Sequence, residues 1–231
     1  MKESIITVLK GLAVGASMTV PGVSGGSTAM ITGIYDRLVS SMSRIFSEPK
    51  QSIPFLLKFS VGAAAGVFLL AGLIGAALDT PAGLPLRFFF LGAVAGGIPL
   101  IFRKAELDRL SAGCIALILA GAAAVLLLSR LPEGLFSPVK DGAVASVIQF
   151  AGGIIIAAAL VLPGISCSHM MLMMGIYEPI TDSISRLDIL SLLPTAAGLA
   201  VGTFLTARVL ERLIEKHGRG CYLVILGFMA G

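Results

Sequence analysis

A short polar motif made of residue types that bind anions occurs twice in this sequence. The motif Pro-Gly-x-Ser begins at Pro21 and again at Pro163, 142 positions later, and each copy is followed by a Gly-Ile-Tyr-acid segment. Between residues 20 and 45 the two copies align without a gap, and nine positions are identical. We interpret the chain as an internal duplication, and its two motifs are paired candidates for chemistry.

Glycines beside serines at the start of a helix allow backbone N–H groups to converge on an anion. In both copies one apolar helix is predicted to end at the Pro-Gly bend and another to begin just after it, so the positive end of the second helix faces the bend. A phosphate or a carboxylate is the natural guest. The alternative is that the glycines serve packing and the serines cap helices, at about 1 kcal/mol each. The candidate phosphate-binding residues are Ser24, Gly25, Gly26, Ser27, Thr28, Ser166, Ser168 and His169, and the structural bends are Pro21, Gly22, Pro163 and Gly164.

Further polar residues near the motifs are candidates for a second role. His169 stands where the first copy has Ser27, and an ionisable group in an apolar segment can donate to a phosphate or carry a coupling proton. A histidine that only bonds a neighbouring carbonyl is the alternative. Interfacial anchoring and snorkelling are the alternatives for the other residues, which are gating or headgroup candidates. These are Tyr35, Asp36, Arg37, Arg87, Tyr177 and Glu178.

The composition is that of an integral membrane protein. Of the 231 residues 56% are hydrophobic and only 13% are charged, whereas about 25% is usual in soluble domains. The net charge of +4 does not indicate nucleic-acid binding, because Lys and Arg in a membrane protein mark cytoplasmic loops. No Walker A loop, HExxH sequence or metal-ligand cluster is present, so neither an ATP-driven pump nor a metal enzyme is supported, and we predict no cofactor and no metal.

The predicted fold is an all-α integral membrane protein with two repeats. Residues 4–19 are shorter than the roughly 20 that cross a bilayer core. Together with a helix over 27–45 they predict a re-entrant hairpin, 4–45, which the second copy repeats at 143–186. Repeat 1 (1–110) adds spans at 53–78 and 86–103, a helix at 111–130 links the repeats, and repeat 2 (142–231) adds spans at 189–209 and 221–231. GxxxG spacings in these spans favour close helix packing. The last span aligns with the middle of its counterpart, which predicts a longer natural chain.

The distribution of basic residues predicts the topology. With a cytoplasmic N-terminus and a re-entrant first hairpin, 13 of the 17 Lys and Arg residues fall on the cytoplasmic side, as the positive-inside rule requires. Three spans then separate the hairpins, so the second hairpin enters from the opposite face. Inverted repeats with broken helices are a recurrent plan of secondary transporters. We therefore predict a multi-pass membrane protein that alternates access to a site between the bends.

The doubled motif resembles the polyprenyl-phosphate transporter family, the PopT-type undecaprenyl-phosphate translocases, over the whole chain. The resemblance implies a plasma-membrane protein that returns undecaprenyl phosphate from the outer to the inner leaflet, with this lipid and the bilayer as partners. The motif positions are Pro21, Gly22, Ser24, Gly25, Gly26, Ser27, Gly33 and Tyr35, then Pro163, Gly164, Ser166, Ser168, Gly175 and Tyr177. The chain departs from the family in having Cys167-Ser168-His169 where relatives commonly read Gly-Ser-Phe, and Met18 where many have an acid.

Two other functions stay open at the level of sequence. A membrane polyprenyl-pyrophosphate phosphatase also uses Pro-Gly-x-Ser bends, but it needs an arginine beside the serine and a carboxylate cluster. Gly25 and Cys167 occupy the arginine's place. An ion-coupled carrier or channel for a small anion is set aside by the resemblance alone. A coupling ion, H⁺ or Na⁺, the direction of transport and the oligomeric state do not follow from the residues.

Overall fold

The fold is built of helices throughout the part of the chain that the computed structural model describes, residues 2–20, 23–78, 80–81, 83–106, 111–132, 143–186 and 188–231. Pro21 and Gly22 lie outside these ranges. The helices of the described residues are α1 (Lys2–Met18), α2 (Gly25–Ile31), α3 (Tyr35–Ser43), α4 (Pro49–Leu78), α5 (Gly83–Lys104), α6 (Ala112–Ser129), α7 (Ala143–Val161), α8 (Cys167–Met174), α9 (Tyr177–Ser185) and α10 (Ile189–Ala230). The all-α prediction is confirmed.

Five helices in the described residues are long and apolar enough to cross a membrane. They are α4, α5, α6, α7 and α10. Most of their apolar side chains remain exposed, including Phe68, Phe88 and Leu127. Exposed aliphatic and aromatic surface on this scale is compatible with lipid rather than water. The chain is therefore a multi-pass membrane protein.

The second half of each predicted hairpin is two helices and not one. Gly33 and Gly175 both adopt φ of +68°, a left-handed conformation that ends a helix and favours glycine. The N–H of the next residue then reaches back five positions, Ile34 to the Ala29 carbonyl at 3.0 Å and Ile176 to the Met171 carbonyl at 3.1 Å. The repeated Gly-Ile-Tyr is thus a helix stop, a buried apolar contact and a helix start. The single helices predicted at 27–45 and 169–186 were wrong for this reason.

The predicted spans at 189–209 and 221–231 lie in α10, where two helices follow each other directly and meet at a kink. α10 runs from Ile189 to Ala230, and only His217 within it has non-helical angles, φ −136° and ψ 42°. We call 189–216 its first segment and 218–230 its second segment. The residues between the predicted spans stay helical because they carry the charged stretch Glu211 to Lys216, whose residues are good helix formers.

Each repeat contains one pair of helices packed through glycine. Gly62 of α4 lies so close to α1 that an added Cβ would sit 2.1 Å from the Val8 carbonyl oxygen, and Gly198 of α10 meets the Phe150 carbonyl oxygen of α7 at 2.0 Å. Val8 and Phe150 are equivalent by the 142-position offset. Gly66 and Gly202 lie one turn further on and meet α1 and α7 near residues 12 and 154. In both pairs the residue numbers in contact increase in the same direction along the two helices, so the two helices run parallel.

A third glycine contact holds the linking helix α6 against the second segment of α10. An added Cβ on Gly227 would lie 2.1 Å from the Ile118 carbonyl oxygen, and one on Gly231 would lie 2.7 Å from the Ala122 carbonyl oxygen. These contacts also ascend together, so α6 runs parallel to the second segment of α10. The predicted close packing at the GxxxG spacings is present here, although the equivalent Gly92 and Gly96 of α5 have open space around them.

We predict that alanine at Gly62 or Gly198 destabilises the folded protein by about 1–3 kcal/mol, because a methyl group has no room against the neighbouring carbonyl. Thermal unfolding in detergent, followed by circular dichroism, measures the effect. Gly72 and Gly92 are matched controls in α4 and α5 with nothing within 4 Å of an added Cβ. Alanine there should be neutral or raise stability by up to about 1 kcal/mol, since alanine favours helix. Equal effects at the two kinds of position would contradict the packing.

Candidate functional site

The bend of the second repeat is in direct contact with the start of α2. The hydroxyl oxygen of Ser27 accepts a hydrogen bond of 3.0 Å from the Gly164 N–H. An added Cβ on Gly26 would lie 3.0 Å from Pro163 Cα. Gly164 itself has φ of +87°, and an added Cβ there would lie 2.1 Å from the Phe228 carbonyl oxygen. Glycine is needed at this crossing because backbone meets backbone.

Two cavities open beside this contact and share part of their walls. The first encloses about 520 Å³ and the second about 550 Å³. Both are lined by Ser24, Ile165, Ser166 and His169, which we call the septum. The first cavity continues along the residues before α2 and the start of α8, and its further lining includes Met18, Thr19, Val23, Gly25, Cys167, Ser168 and Tyr177. The polar residues of both repeats therefore meet at one place.

The starts of α2 and α8 adjoin the septum. Ser24 is the N-cap residue of α2, but its side chain makes no capping hydrogen bond. Ser166 is the N-cap residue of α8 and accepts a hydrogen bond of 3.4 Å from the His169 N–H. The first N–H groups of a helix have no partner within the helix, and the dipole of the helix favours negative charge there. The septum can therefore offer hydroxyl and amide donors to an anion from both repeats.

The imidazole of His169 contributes an unused polar atom to the septum. Its Nε2 is buried and has no hydrogen-bond partner, and the residue lines both cavities. A buried polar atom without a partner is costly. Nε2 does not make the hydrogen bond to a neighbouring carbonyl that the predicted alternative requires. The ring therefore lies at the septum with one nitrogen that makes no hydrogen bond.

Charged side chains are absent from the described lining of both cavities. An anion at the septum would be held by neutral donors and helix ends and not by an ion pair. Nor do the described residues contain a group of three or more His, Cys, Asp or Glu side chains able to hold a metal ion. Neutral donors of this kind can recognise a small oxyanion.

The second cavity becomes apolar away from the septum. Its wall there consists of side chains from α5, α6, α8 and α10, namely Leu91, Val94, Val125, Leu128, Met170, Phe228 and Met229. Methionine and aliphatic side chains form a pliable apolar surface. A ligand with an oxyanion at one end and hydrocarbon at the other matches this change of character.

The two copies of the Gly-Ile-Tyr-acid segment lie in different environments. Tyr35 is only 1% exposed, and its hydroxyl donates a hydrogen bond of 2.9 Å to the Val161 carbonyl. Asp36 accepts hydrogen bonds from Lys104 and from the Tyr222 hydroxyl, the latter at 3.1 Å. In the second copy Tyr177 is half-buried on the wall of the first cavity. Its neighbour Glu178 is exposed.

Most of the predicted phosphate-binding residues are brought together, and of the gating and headgroup candidates Tyr177 joins them on the wall of the first cavity. Ser24, Gly25, Ser27, Ser166, Ser168 and His169 line one cavity or both. Gly26 is buried against Pro163, and Thr28 lines neither cavity in the described set. Arg37 stacks over Phe55 with its guanidinium carbon 4.7 Å from the ring centre, and Arg87 is exposed.

Sequence reasoning missed Lys104 and Tyr222, which bind Asp36. A signal for Tyr222 was present, because the alignment of Leu91-Gly92 with Leu226-Gly227 also places Arg87 on Tyr222, at an offset of 135 positions. The alignment marks the pair as equivalent, although the two side chains differ. No such signal exists for Lys104, whose equivalent position is beyond residue 231.

Comparison with known proteins shows the family of the chain. The profile of a family described as VCA0040-like, undecaprenyl phosphate translocase-like, matches residues 14–231. A polyprenyl-phosphate transporter of Vibrio cholerae serotype O1 is 30% identical over 239 aligned positions, which cover 97% of this chain and 75% of the relative. A polyprenyl-phosphate transporter of Staphylococcus aureus is 28% identical, covering 98% of this chain and 83% of the relative. No solved structure matches the chain. The chain belongs to the undecaprenyl phosphate translocase-like family.

Proposed function

We propose that this protein carries undecaprenyl phosphate, or a closely related polyprenyl phosphate, across the plasma membrane from the outer to the inner leaflet. The observation that carries the proposal is the septum, where donors from both repeats meet between two cavities of a membrane protein. The names of two relatives, both polyprenyl-phosphate transporters, support the choice of ligand. The protein acts as a transporter and not as an enzyme in this proposal.

The parallel packing of α1 with α4 supports a re-entrant first hairpin. Two consecutive long helices that run parallel require the chain between them to return to the side from which it started. α2 and α3 make this return after the bend. The same holds for α7 and the first segment of α10, with α8 and α9 between them. In the proposed topology both bends therefore end inside the membrane, where irregular backbone is tolerated only if protein or a wet cavity surrounds it.

The direction of the helices also supports inversion of the repeats. If α4 runs from the cytoplasm outward, α5 runs back and α6 runs outward again. α7 then starts outside and runs inward, opposite to α1. The second segment of α10 must run outward in this arrangement, and it does run parallel to α6. Opposite entry of two broken helices at a central site is the plan that allows alternating access in many transporters.

The septum supplies what a phosphate needs when it leaves water. An unpaired anion in hydrocarbon costs many kcal/mol, because its hydration is lost. Hydroxyls of Ser24 and Ser166, the Nε2 of His169 when protonated and the first amides of α2 and α8 replace part of that hydration. The lack of a fixed positive side chain in the described lining keeps binding reversible, since an ion pair buried at membrane depth is hard to separate. H⁺ or Na⁺ coupling is compatible with this site.

The apolar wall of the second cavity is the proposed seat of the first isoprene units. It begins at the septum and continues between α5, α6 and the second segment of α10, so a phosphate held at Ser166 or His169 places its attached chain against Leu91, Val125 and Phe228. Burial of hydrocarbon there contributes little relative to lipid, since both are apolar. Its effect is to orient the chain and to distinguish a polyprenyl phosphate from a soluble anion.

We predict that Ser24→Ala and Ser166→Ala each lower transbilayer exchange of undecaprenyl phosphate in proteoliposomes by about 10- to 100-fold, as expected for a lost hydrogen bond to a charged group. The double variant should lose more than either single variant. Ser60→Ala, an exposed serine of α4, is the control and should exchange normally. Unchanged exchange in both site variants would remove the septum from the mechanism.

We predict that Val125→Trp lowers exchange of undecaprenyl phosphate by about tenfold, because an indole fills part of the second cavity and forces the chain out. Binding of a five-carbon prenyl phosphate, measured by competition with the long-chain lipid, should change little. Leu126→Trp is the matched control, since Leu126 is the next residue of α6 and is 49% exposed. If the two tryptophans have equal effects, the chain does not use this cavity.

The same purified protein separates the remaining functions. Release of inorganic phosphate from undecaprenyl pyrophosphate would identify a phosphatase. Competition of soluble phosphate with undecaprenyl phosphate at equal concentration would identify a carrier for small anions. A lipid transporter should show neither, while it continues to exchange the monophosphate between leaflets.

A further inference from the structure

The first copy of the repeated segment is closed against the rest of the protein. Tyr35 donates its hydroxyl hydrogen to the Val161 carbonyl at the end of α7, and Asp36 accepts from Tyr222 at the start of the second segment of α10. Lys104 completes the set with a hydrogen bond to Asp36, and its ammonium lies 5.6 Å from the Tyr222 ring centre. These contacts join α3 of repeat 1 to α7 and α10 of repeat 2.

The second copy has the equivalent tyrosine and acidic residue, but they do not make the equivalent contacts. The offset of 142 positions relates Tyr35 to Tyr177 and Val161 to Thr19. Both Tyr177 and Thr19 line the first cavity, from its two different repeats. The equivalent of the contact between Tyr35 and Val161 is therefore a contact between Tyr177 and Thr19, and both of these residues line this cavity.

The acidic residue shows the same asymmetry. Asp36 corresponds to Glu178, and Tyr222 corresponds to Arg87 by the 135-position offset of the last spans. Asp36 and Tyr222 are joined, whereas Glu178 and Arg87 are exposed and no ion pair between them is formed in the described part of the chain. In line with this, α3 packs against α10, but α9 has no comparable packing against α5.

We infer that Tyr177, Glu178 and Arg87 form the gate of the first cavity, and that closing it makes the mirror image of the contacts that now hold α3. In the closed gate the Tyr177 hydroxyl donates to the Thr19 carbonyl, and the Glu178 carboxylate accepts from the Arg87 guanidinium. This inference rests on the proposed inverted repeats, and it adds to them the residues that stabilise the second state. The three are positioning residues, since they act on access to the septum and not on the phosphate.

Closing the gate exchanges contacts of one state for contacts of the same type in the other state. This suits a protein that must occupy both states. One tyrosine-to-carbonyl hydrogen bond is lost and one is gained. An Asp36 contact with a tyrosine and a lysine is replaced by a Glu178 contact with an arginine. Two states of similar free energy interconvert readily, and small differential contacts then set their populations.

Cys167 provides a direct report of the gate, because this native thiol lines the first cavity and its side chain has no proposed role in holding the phosphate. We use the chain with Cys114→Ser and Cys221→Ser in lipid nanodiscs without substrate, and measure the rate at which a small water-soluble maleimide alkylates Cys167. Tyr177→Phe removes one hydrogen bond from the closed gate only. Alkylation should therefore become faster, by up to about twofold for two states of similar free energy, because the open fraction cannot exceed one.

Tyr35→Phe is the matched control with the opposite sign. It removes the equivalent bond from the state seen here, in which the first cavity is open, so alkylation of Cys167 should become slower. Both variants lose the same hydroxyl and keep the ring. Changes in the same direction, or no change in either variant, would overturn the gate; a folding defect is recognised separately by thermal unfolding of each variant.

The charged pair is tested by exchange of its charges. Glu178→Arg and Arg87→Glu should each speed alkylation of Cys167, because each places like charges together in the closed gate. The double variant restores opposite charges and should return the rate to that of the parent. Arg130→Glu, at an exposed basic residue that follows α6, should leave the rate unchanged. Additive effects in the double variant would show that the two residues do not meet.

These results separate the gate from the proposed function. Alkylation rates that shift in opposite directions, in a protein that does not exchange undecaprenyl phosphate, would keep the gate and reject the lipid. Normal lipid exchange with unshifted alkylation would keep the transporter and reject these gate residues.

Discussion

The constraint on which this structure depends is that backbone polar groups at membrane depth must find partners. Two helices are interrupted within an apolar protein, and each interruption exposes N–H and C=O groups that hydrocarbon does not solvate. The Ser27 hydroxyl satisfies one of them, the Gly164 N–H. The helix stops at Gly33 and Gly175 satisfy others through backbone bonds that reach back to the preceding turn. The septum, beside the cavities, holds the first N–H groups of α8, which have no partner within the helix, and the unpartnered Nε2 of His169.

Glycine packing fixes the position of each interruption along its helix pair. Because α1 lies against α4 with almost no space between the backbones, the level at which the chain bends is set by the contact of Gly62 with Val8, and the contact of Gly198 with Phe150 sets it in the second repeat. Dispersion between closely approaching helices is the main source of stability in lipid. The duplication therefore repeats the glycine contact that positions the bend as well as the motif itself, and the two polar segments meet.

Much of the architecture could be predicted from the sequence, because the signals were strong and local. High hydropathy and span length predicted the membrane helices, and the doubled Pro-Gly-x-Ser predicted two bends with serines at the following helix starts. The break at Gly33 was missed because its Ile-Tyr continuation is apolar and reads as uninterrupted helix, while the left-handed turn depends on a single residue. The extension of helix through the charged stretch between the two predicted spans was missed because hydropathy ends a span wherever charge appears.

The partners within the site were harder to predict than its members. Ser24, Ser166 and His169 followed from motif chemistry, but nothing local indicates that Ser27 bonds to Gly164 or that Asp36 bonds to Lys104. Such pairs join residues distant in sequence and depend on how the repeats dock. The difference in exposure between Tyr35 and Tyr177 was equally unpredictable, since identical tripeptides gave no reason for one to be buried and the other to face a cavity.

The glycine-packed pairs also determine where the protein can deform. A helix pair whose backbones touch cannot slide or rotate without collision, so α1 with α4, and α7 with the first segment of α10, behave as stiff struts. The backbone can bend more easily at the helix breaks without such packing, which are Gly33, Gly175 and the kink at His217. Substitutions that stiffen these helix breaks would alter the speed of shape change while leaving the struts, and the resting architecture, as they are.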